Sequence, residues 1–78
     1  MKIVKYLYFW TNSRKLCWFE YQIQKENNTI ITVGAFGTYR QEATRNAQKL
    51  VKGKFTDELF NFDDVEGIDI KSPMFRTT

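Results

Sequence analysis

Apolar and polar positions alternate through the first half of the chain in three runs, separated by short polar stretches. Residues 2–11 are dense in β-branched and aromatic side chains and hold no Gly or Pro, which predicts a strand. The run stops at Thr11-Asn12-Ser13-Arg14-Lys15, a cluster of turn formers and charges. A second strand is predicted over 16–25. It ends at Glu26-Asn27-Asn28-Thr29, where Asn tolerates the positive φ of a tight hairpin turn. A third strand follows over 29–36. Connections this short make sequential strands antiparallel neighbours, a β-meander.

The period then changes. Gly37 breaks the strand, Thr38 is a candidate N-cap, and Gln41 stands three residues later at capping-box spacing. Residues 39–52 read as a helix. Tyr39, Ala43, Ala47, Leu50 and Val51 share one face; Arg40, Glu42, Arg45, Lys49 and Lys52 lie elsewhere. Gly53 suits the left-handed residue that follows many helices. Thr56 with Asp57-Glu58-Leu59 is a candidate short helix. Residues 68–71, between Gly67 and Pro73, alternate like an edge strand. The tail 75–78 is either frayed or anchored by Phe75. The predicted fold class is α+β. A three-stranded antiparallel meander is followed by a helix on one face (β-β-β-α), then a short helix or loop and a candidate edge strand. All of it forms one domain over 1–78.

Strict alternation separates the two sheet faces. One face receives Ile3, Leu7, Phe9, Cys17, Phe19, Tyr21, Ile23, Ile31, Val33 and Ala35, an apolar floor for the helix. The other receives Val4, Tyr6, Tyr8, Trp10, Trp18, Glu20, Gln22, Gln24, Ile30, Thr32 and Phe36. A single helix cannot cover both. The second face therefore meets solvent or a partner, or is covered by Phe55, Leu59, Phe60 and Phe62 folding back. If open, Tyr6, Tyr8, Trp10 and Trp18 form the candidate partner-binding patch, with Arg14 and Lys15 at its rim. Tyr and Trp on such a face are hot-spot residues for protein interfaces and stacking platforms for bases.

Charge sharpens the alternatives. Residues 1–54 carry ten Lys/Arg against three Asp/Glu, and residues 55–78 carry two against six. A basic body could track phosphates, with Lys25, Arg40, Arg45 and Lys49 as the candidate nucleic-acid-binding residues. The acidic end could face a basic partner, or imitate nucleic acid to it. There is no His and a single Cys, Cys17, so neither a zinc site nor a His-dependent nucleophile is expected. Cys17, amid aromatics, reads as a small buried hydrophobe. Asp63-Asp64 with Glu66 and Asp69 fits no calcium-loop spacing and reads as a solvated acidic turn. No cofactor is expected and no enzymatic activity. No apolar run reaches about 18 residues, and the N-terminus is too short and charged for a signal peptide core. The expectation is a cytoplasmic protein without a membrane segment. An exposed aromatic face would permit a homodimer.

Two resemblances bear on function. The meander followed by Gly37-Thr38-x-x-Gln41-Glu42-Ala43 resembles, over residues 2–52, the β-β-β-α DNA-binding domains of tyrosine-family phage integrases and AP2-type factors. That resemblance implies a sheet face laid in the major groove. Where those domains carry arginines, this sequence has Tyr6, Tyr8, Trp10 and Trp18. The opening Met1-Lys2-x-x-Lys5-Tyr6-Leu7, with Val33-Gly34-Ala35-Phe36, Thr38 and Gln41, is similar to a small family of phage anti-CRISPR proteins directed at type I-F surveillance complexes. This likeness implies a non-enzymatic inhibitor that sits on Cas backbone subunits and stops target DNA from binding, with Tyr6 in the binding surface.

Overall fold

A computed structural model of the chain describes residues 1–11 and 16–71. Strand β1 (Lys2–Trp10) pairs antiparallel with β2 (Cys17–Gln24), and β2 antiparallel with β3 (Ile30–Gly37). Helix α1 (Arg40–Lys54) follows. The chain then returns as β4 (Gly67–Lys71), which pairs parallel with β1. The sheet order is β3-β2-β1-β4. The fold is α+β, as predicted: a mixed four-stranded sheet with its three-stranded meander intact. The edge strand at 68–71 is present, and its parallel direction is new.

The β2–β3 turn forms as the asparagines suggest. Asn28 takes φ 67°, the single positive φ outside glycine among the described residues. The Asn28 amide donates to the Lys25 carbonyl at 2.9 Å, and the Lys25 amide donates to the Thr29 carbonyl at 2.8 Å. Asn carries this conformation better than other non-glycine residues because its short polar side chain bonds locally. Here the Gln24 amide donates to Asn28 Oδ1 at 3.2 Å.

Three local expectations shift. The helix N-cap is Tyr39 rather than Thr38, and Glu42 rather than Gln41 bonds back to Thr38 before the helix. Its carboxylate accepts from the Thr38 amide at 3.0 Å and from the Thr38 hydroxyl at 3.1 Å. Tyr39 itself makes no side-chain cap bond, so Glu42 ties the residue before the N-cap to the first turn without forming a capping box, and its acid stands where the helix dipole favours it. Gly53 is helical, not the residue after the helix, and α1 runs on to Lys54 with Phe55 as C-cap. Thr56–Leu59 makes a turn, not a helix, with the Glu58 amide donating to the Phe55 carbonyl at 3.1 Å.

The larger correction concerns the faces of β1. Its register against β2 runs Ile3↔Ile23, then slips at a β-bulge between Ile3 and Lys5, then resumes as Lys5↔Gln22 and Tyr6↔Tyr21 through Trp10↔Cys17. One extra residue inverts the alternation beyond it. Ile3 keeps to the helix side, but so do Tyr6, Tyr8 and Trp10. Leu7 and Phe9 move to the opposite face. The assignments for β2 and β3 stand: Cys17, Phe19, Tyr21, Ile23 and Val33 are buried under the helix.

The core is made of large rings from the sheet against small residues from the helix. Ala43, Ala47 and Val51 are fully buried, which lets the α1 backbone approach closely. Gly37 belongs to the same contact: a Cβ there would collide with the backbone of Glu42 and Ala43. Tyr39 and Leu50, expected on the inner face of the helix, are half exposed. Helix α1 lies across β2 and β3. The rest of that face is filled from the segment after the helix, whose Phe55, Phe60, Phe62 and Val65 pack against the core. These aromatics thus cover the helix side, not the second face, and Leu59 projects fully into solvent. Residues 12–15, where the sequence predicts a turn with Arg14 and Lys15, and residues 72–78 with Phe75 lie outside the described residues.

Candidate functional site

The bulge builds an apolar band on the sheet face away from the helix. In register across all four strands stand Phe36, Trp18, Phe9 and Ile70. The adjacent row is Gly34, Glu20, Leu7 and Ile68. Toward the other end of the strands the face turns mostly polar, through Thr32, Gln22 and Lys5 and then Gln24, with Ile30 exposed beside Gln24. Helix α1 and the packed aromatics of 55–65 both lie on the opposite side. Phe36 is 49% exposed and Ile68 54%.

Trp18 organises the band. Its ring lies over Gly34, so close that a Cβ at that position would collide with it. Its indole N–H donates to the Glu20 carboxylate at 2.7 Å, and its ring meets the edge of Phe36 at 4.7 Å. Gly34 therefore provides the space, Glu20 fixes the ring plane, and Phe36 braces it. A rigid aromatic with a satisfied polar tip loses little entropy when a partner covers it.

The residues expected to form one patch are divided between the two faces. Trp18 is on the open face. Tyr6, Tyr8 and Trp10 are on the helix side, where Tyr6 stacks on Phe19 at 4.9 Å. Arg40 closes over them. Its guanidinium sits 4.8 Å from the Tyr8 ring centroid and 5.6 Å from that of Tyr6. It donates to the Tyr6 hydroxyl at 3.2 Å and forms an ion pair with Asp69 of β4. Burial works against its charge, but the hydrogen bonds it donates to Tyr6 and Asp69 outweigh it and raise its pKa. Arg40 is thus a clamp joining α1, β1 and β4. Tyr8 donates to Cys17 Sγ at 3.1 Å; burial first, then that bond, push its pKa up to about 12. Burial likewise raises the pKa of Tyr21, whose hydroxyl accepts from Gln48 at 3.1 Å.

The other basic candidates are scattered. Lys25 lies at the β2–β3 turn, while Arg45 and Lys49 are exposed on α1. None of the three lies on the band. Leu7, Phe9, Ile68 and Ile70 are the band residues that alternation misplaced or passed over. One signal for them was legible: strict parity puts Lys5 beside Ile3 and Leu7 under the helix. A lysine on a face that must be buried argues for a change of phase between them.

The fold and this surface define a small α+β protein, one helix on a mixed sheet, whose second sheet face carries an apolar band. Compared with protein-family models, curated proteins and solved structures, the chain matches none. No helix among the described residues is long and apolar enough to cross a membrane.

Proposed function

We propose that the chain is a small non-enzymatic binding protein that docks on another protein through the open sheet face. The partner class we assign is a nucleic-acid-handling defence complex, inhibited as by a phage anti-CRISPR protein. The observation that carries the reading is the band Phe36–Trp18–Phe9–Ile70, with Leu7 and Ile68 beside it. Its rings and aliphatics match the composition of interface centres, and the polar residues at its far end match an interface rim. A second feature fits a basic partner. Asp57, Asp63, Asp64 and Glu66 are exposed, and no described cation stands within ion-pair distance of them. The choice of a CRISPR complex rests on the resemblance at residues 1–7 and 33–41.

Direct nucleic-acid binding is the other reading, and the exposed Arg45 and Lys49 on α1 favour it. It has less support, because stacking needs rings and cations on one surface. Of the helix cations only Lys49 and Lys54 line a groove with a ring of the band, Trp18, while Arg40 is engaged with Tyr6 and Asp69 on the helix side.

The test is retention of the purified protein by an immobilised type I-F surveillance complex, with target-DNA binding by that complex read in parallel. Wild type is expected to be retained and to block DNA. Phe36→Ser is expected to lose both effects with an unchanged circular dichroism spectrum, and Arg45→Ala to keep both. Absence of retention, or a Phe36→Ser variant that inhibits like wild type, overturns the proposal. DNA affinity of the isolated protein that falls steeply with salt would support the other reading.

A further inference from the structure

Among the described residues, strand β3 is an edge strand with an open side. Antiparallel pairs alternate between residues whose backbone groups face the neighbour and residues whose groups face away. The Lys25–Thr29 hydrogen bond sets the phase, and the register runs unbroken from there to Cys17↔Gly37. Ile31, Val33, Ala35 and Gly37 therefore bond to β2. The amides and carbonyls of Ile30, Thr32, Gly34 and Phe36 point outward. One contact confirms the phase: Asn46 of α1 donates to the Phe36 carbonyl at 3.0 Å.

Natural sheet edges are protected by charges, prolines, bulges or shortness. Strand β3 has none of these. It spans eight residues, Ile-Ile-Thr-Val-Gly-Ala-Phe-Gly, without a charge or proline and in regular register. The opposite edge, β4, has five residues. Along the outward side of β3 runs an open groove of about 470 Å³. Its floor is Thr32, Val33 and Gly34, one wall is Trp18, and the other is Lys49, Leu50, Gly53 and Lys54 of α1. Leu50 is half exposed over it, and Gly53 adds no side chain to that wall. Neither Lys49 nor Lys54 has an acidic partner among the described residues.

The geometry points to strand addition: an extended acidic peptide segment of another protein pairs with the outward backbone of Thr32 and Gly34, its carboxylates meeting Lys49 and Lys54. Backbone pairing provides the register, and side chains on alternate positions meet either Trp18 or Leu50, which gives selectivity. The two lysines at one wall select the acidic occupant over a basic one. This site adjoins the docking face and shares Trp18, Thr32 and Gly34 with it, but the backbone pairing and the two lysines that define it do not depend on what that face binds.

Two fluorescein-labelled decapeptides of alternating Thr and Val, one ending Asp-Glu-Asp and the other Lys-Lys-Lys, are titrated against the full chain by fluorescence anisotropy. Amide hydrogen exchange is followed by NMR in parallel. The acidic peptide is expected to bind at micromolar concentration and the basic one not. Exchange is expected to slow at Thr32 and Gly34, while Ile31 and Val33 are already protected by β2. Lys49→Glu with Lys54→Glu should weaken the acidic peptide by about tenfold or more, and Lys2→Glu should leave it unchanged. Thr32→Pro removes only an outward amide and should abolish binding. If that variant does not fold, the charge reversals and the protection pattern still decide. Equal binding of the two peptides, protection confined to β4, or no effect of the charge reversals overturns the inference. So does a dimer in sedimentation whose Thr32 and Gly34 amides are protected without peptide, since the occupant is then a second copy of the chain.

Discussion

The bulge in β1 makes Leu7 and Tyr8 exchange roles, and paired truncations measure this directly. With unbroken alternation Leu7 would lie under the helix and Tyr8 in solvent. In the structure Tyr8 is 8% exposed, beside Phe19 at 6.1 Å, bonded to Cys17 and roofed by Arg40. Truncating a buried aromatic to Ala costs about 3–5 kcal/mol through lost transfer energy and the cavity left behind. Leu7 is half buried on the open face, so Leu7→Ala forfeits part of a side chain's burial, about 1 kcal/mol. A domain of this size has total stability of order 5 kcal/mol. Tyr8→Ala is therefore expected to leave the chain largely unfolded in buffer, and Leu7→Ala to shift the urea midpoint modestly at constant m-value. Tyr8→Phe keeps the ring and loses only the bond to sulfur, at about 1 kcal/mol. The assay is urea denaturation followed by far-ultraviolet circular dichroism, with tryptophan emission as a second probe. If Leu7→Ala costs more than Tyr8→Ala, the register is wrong and the apolar band with it.

Other measurements follow from single features. In a phenolate titration at 295 nm, Tyr8 and Tyr21 should ionise late, Tyr8 near pH 12 against an ordinary value of 10.0. Because these folded values are raised, the stability they contribute is complete below the unfolded pKa and lost as pH rises through the folded one. Urea midpoints should thus fall between about pH 10 and 12, and Tyr8→Phe should flatten that decline; an identical decline in the variant would exclude Tyr8 as its source. Gly53→Ala should stabilise by about 0.5–1 kcal/mol, since Gly53 is helical and a Cβ there meets nothing within 4 Å, raising Tm by several degrees. The same change narrows the peptide groove only slightly. Asn28→Gly should be close to neutral and Asn28→Val should cost about 1–2 kcal/mol, because only the latter is strained at φ 67°; equal midpoints for the two would contradict the turn geometry.

Much of the architecture was legible in the chain because the signals are local. Period-2 runs, Asn-Asn at the turn, the switch to helical spacing after Gly37 and small residues on the inner helix face each act within a few residues. They determine the meander, the helix and the α+β class. The acidic composition of the last third, the absence of histidine and the lone Cys17 are equally direct. Tertiary structure decided the rest. The bulge arises from matching β1 to β2 and places Lys5 in solvent while burying Tyr8 and partly burying Tyr6; one slipped residue inverts every later side chain of that strand. Whether Gly67–Lys71 runs parallel or antiparallel depends on the path of residues 55–66 around the core, where Phe60 and Phe62 find their ring partners. Arg40 is one of several helix cations by sequence, and only the arrival of Asp69 on β4 turns it into a clamp. The open face and the β3 edge are likewise properties of what the fold leaves uncovered, which no single stretch of sequence encodes.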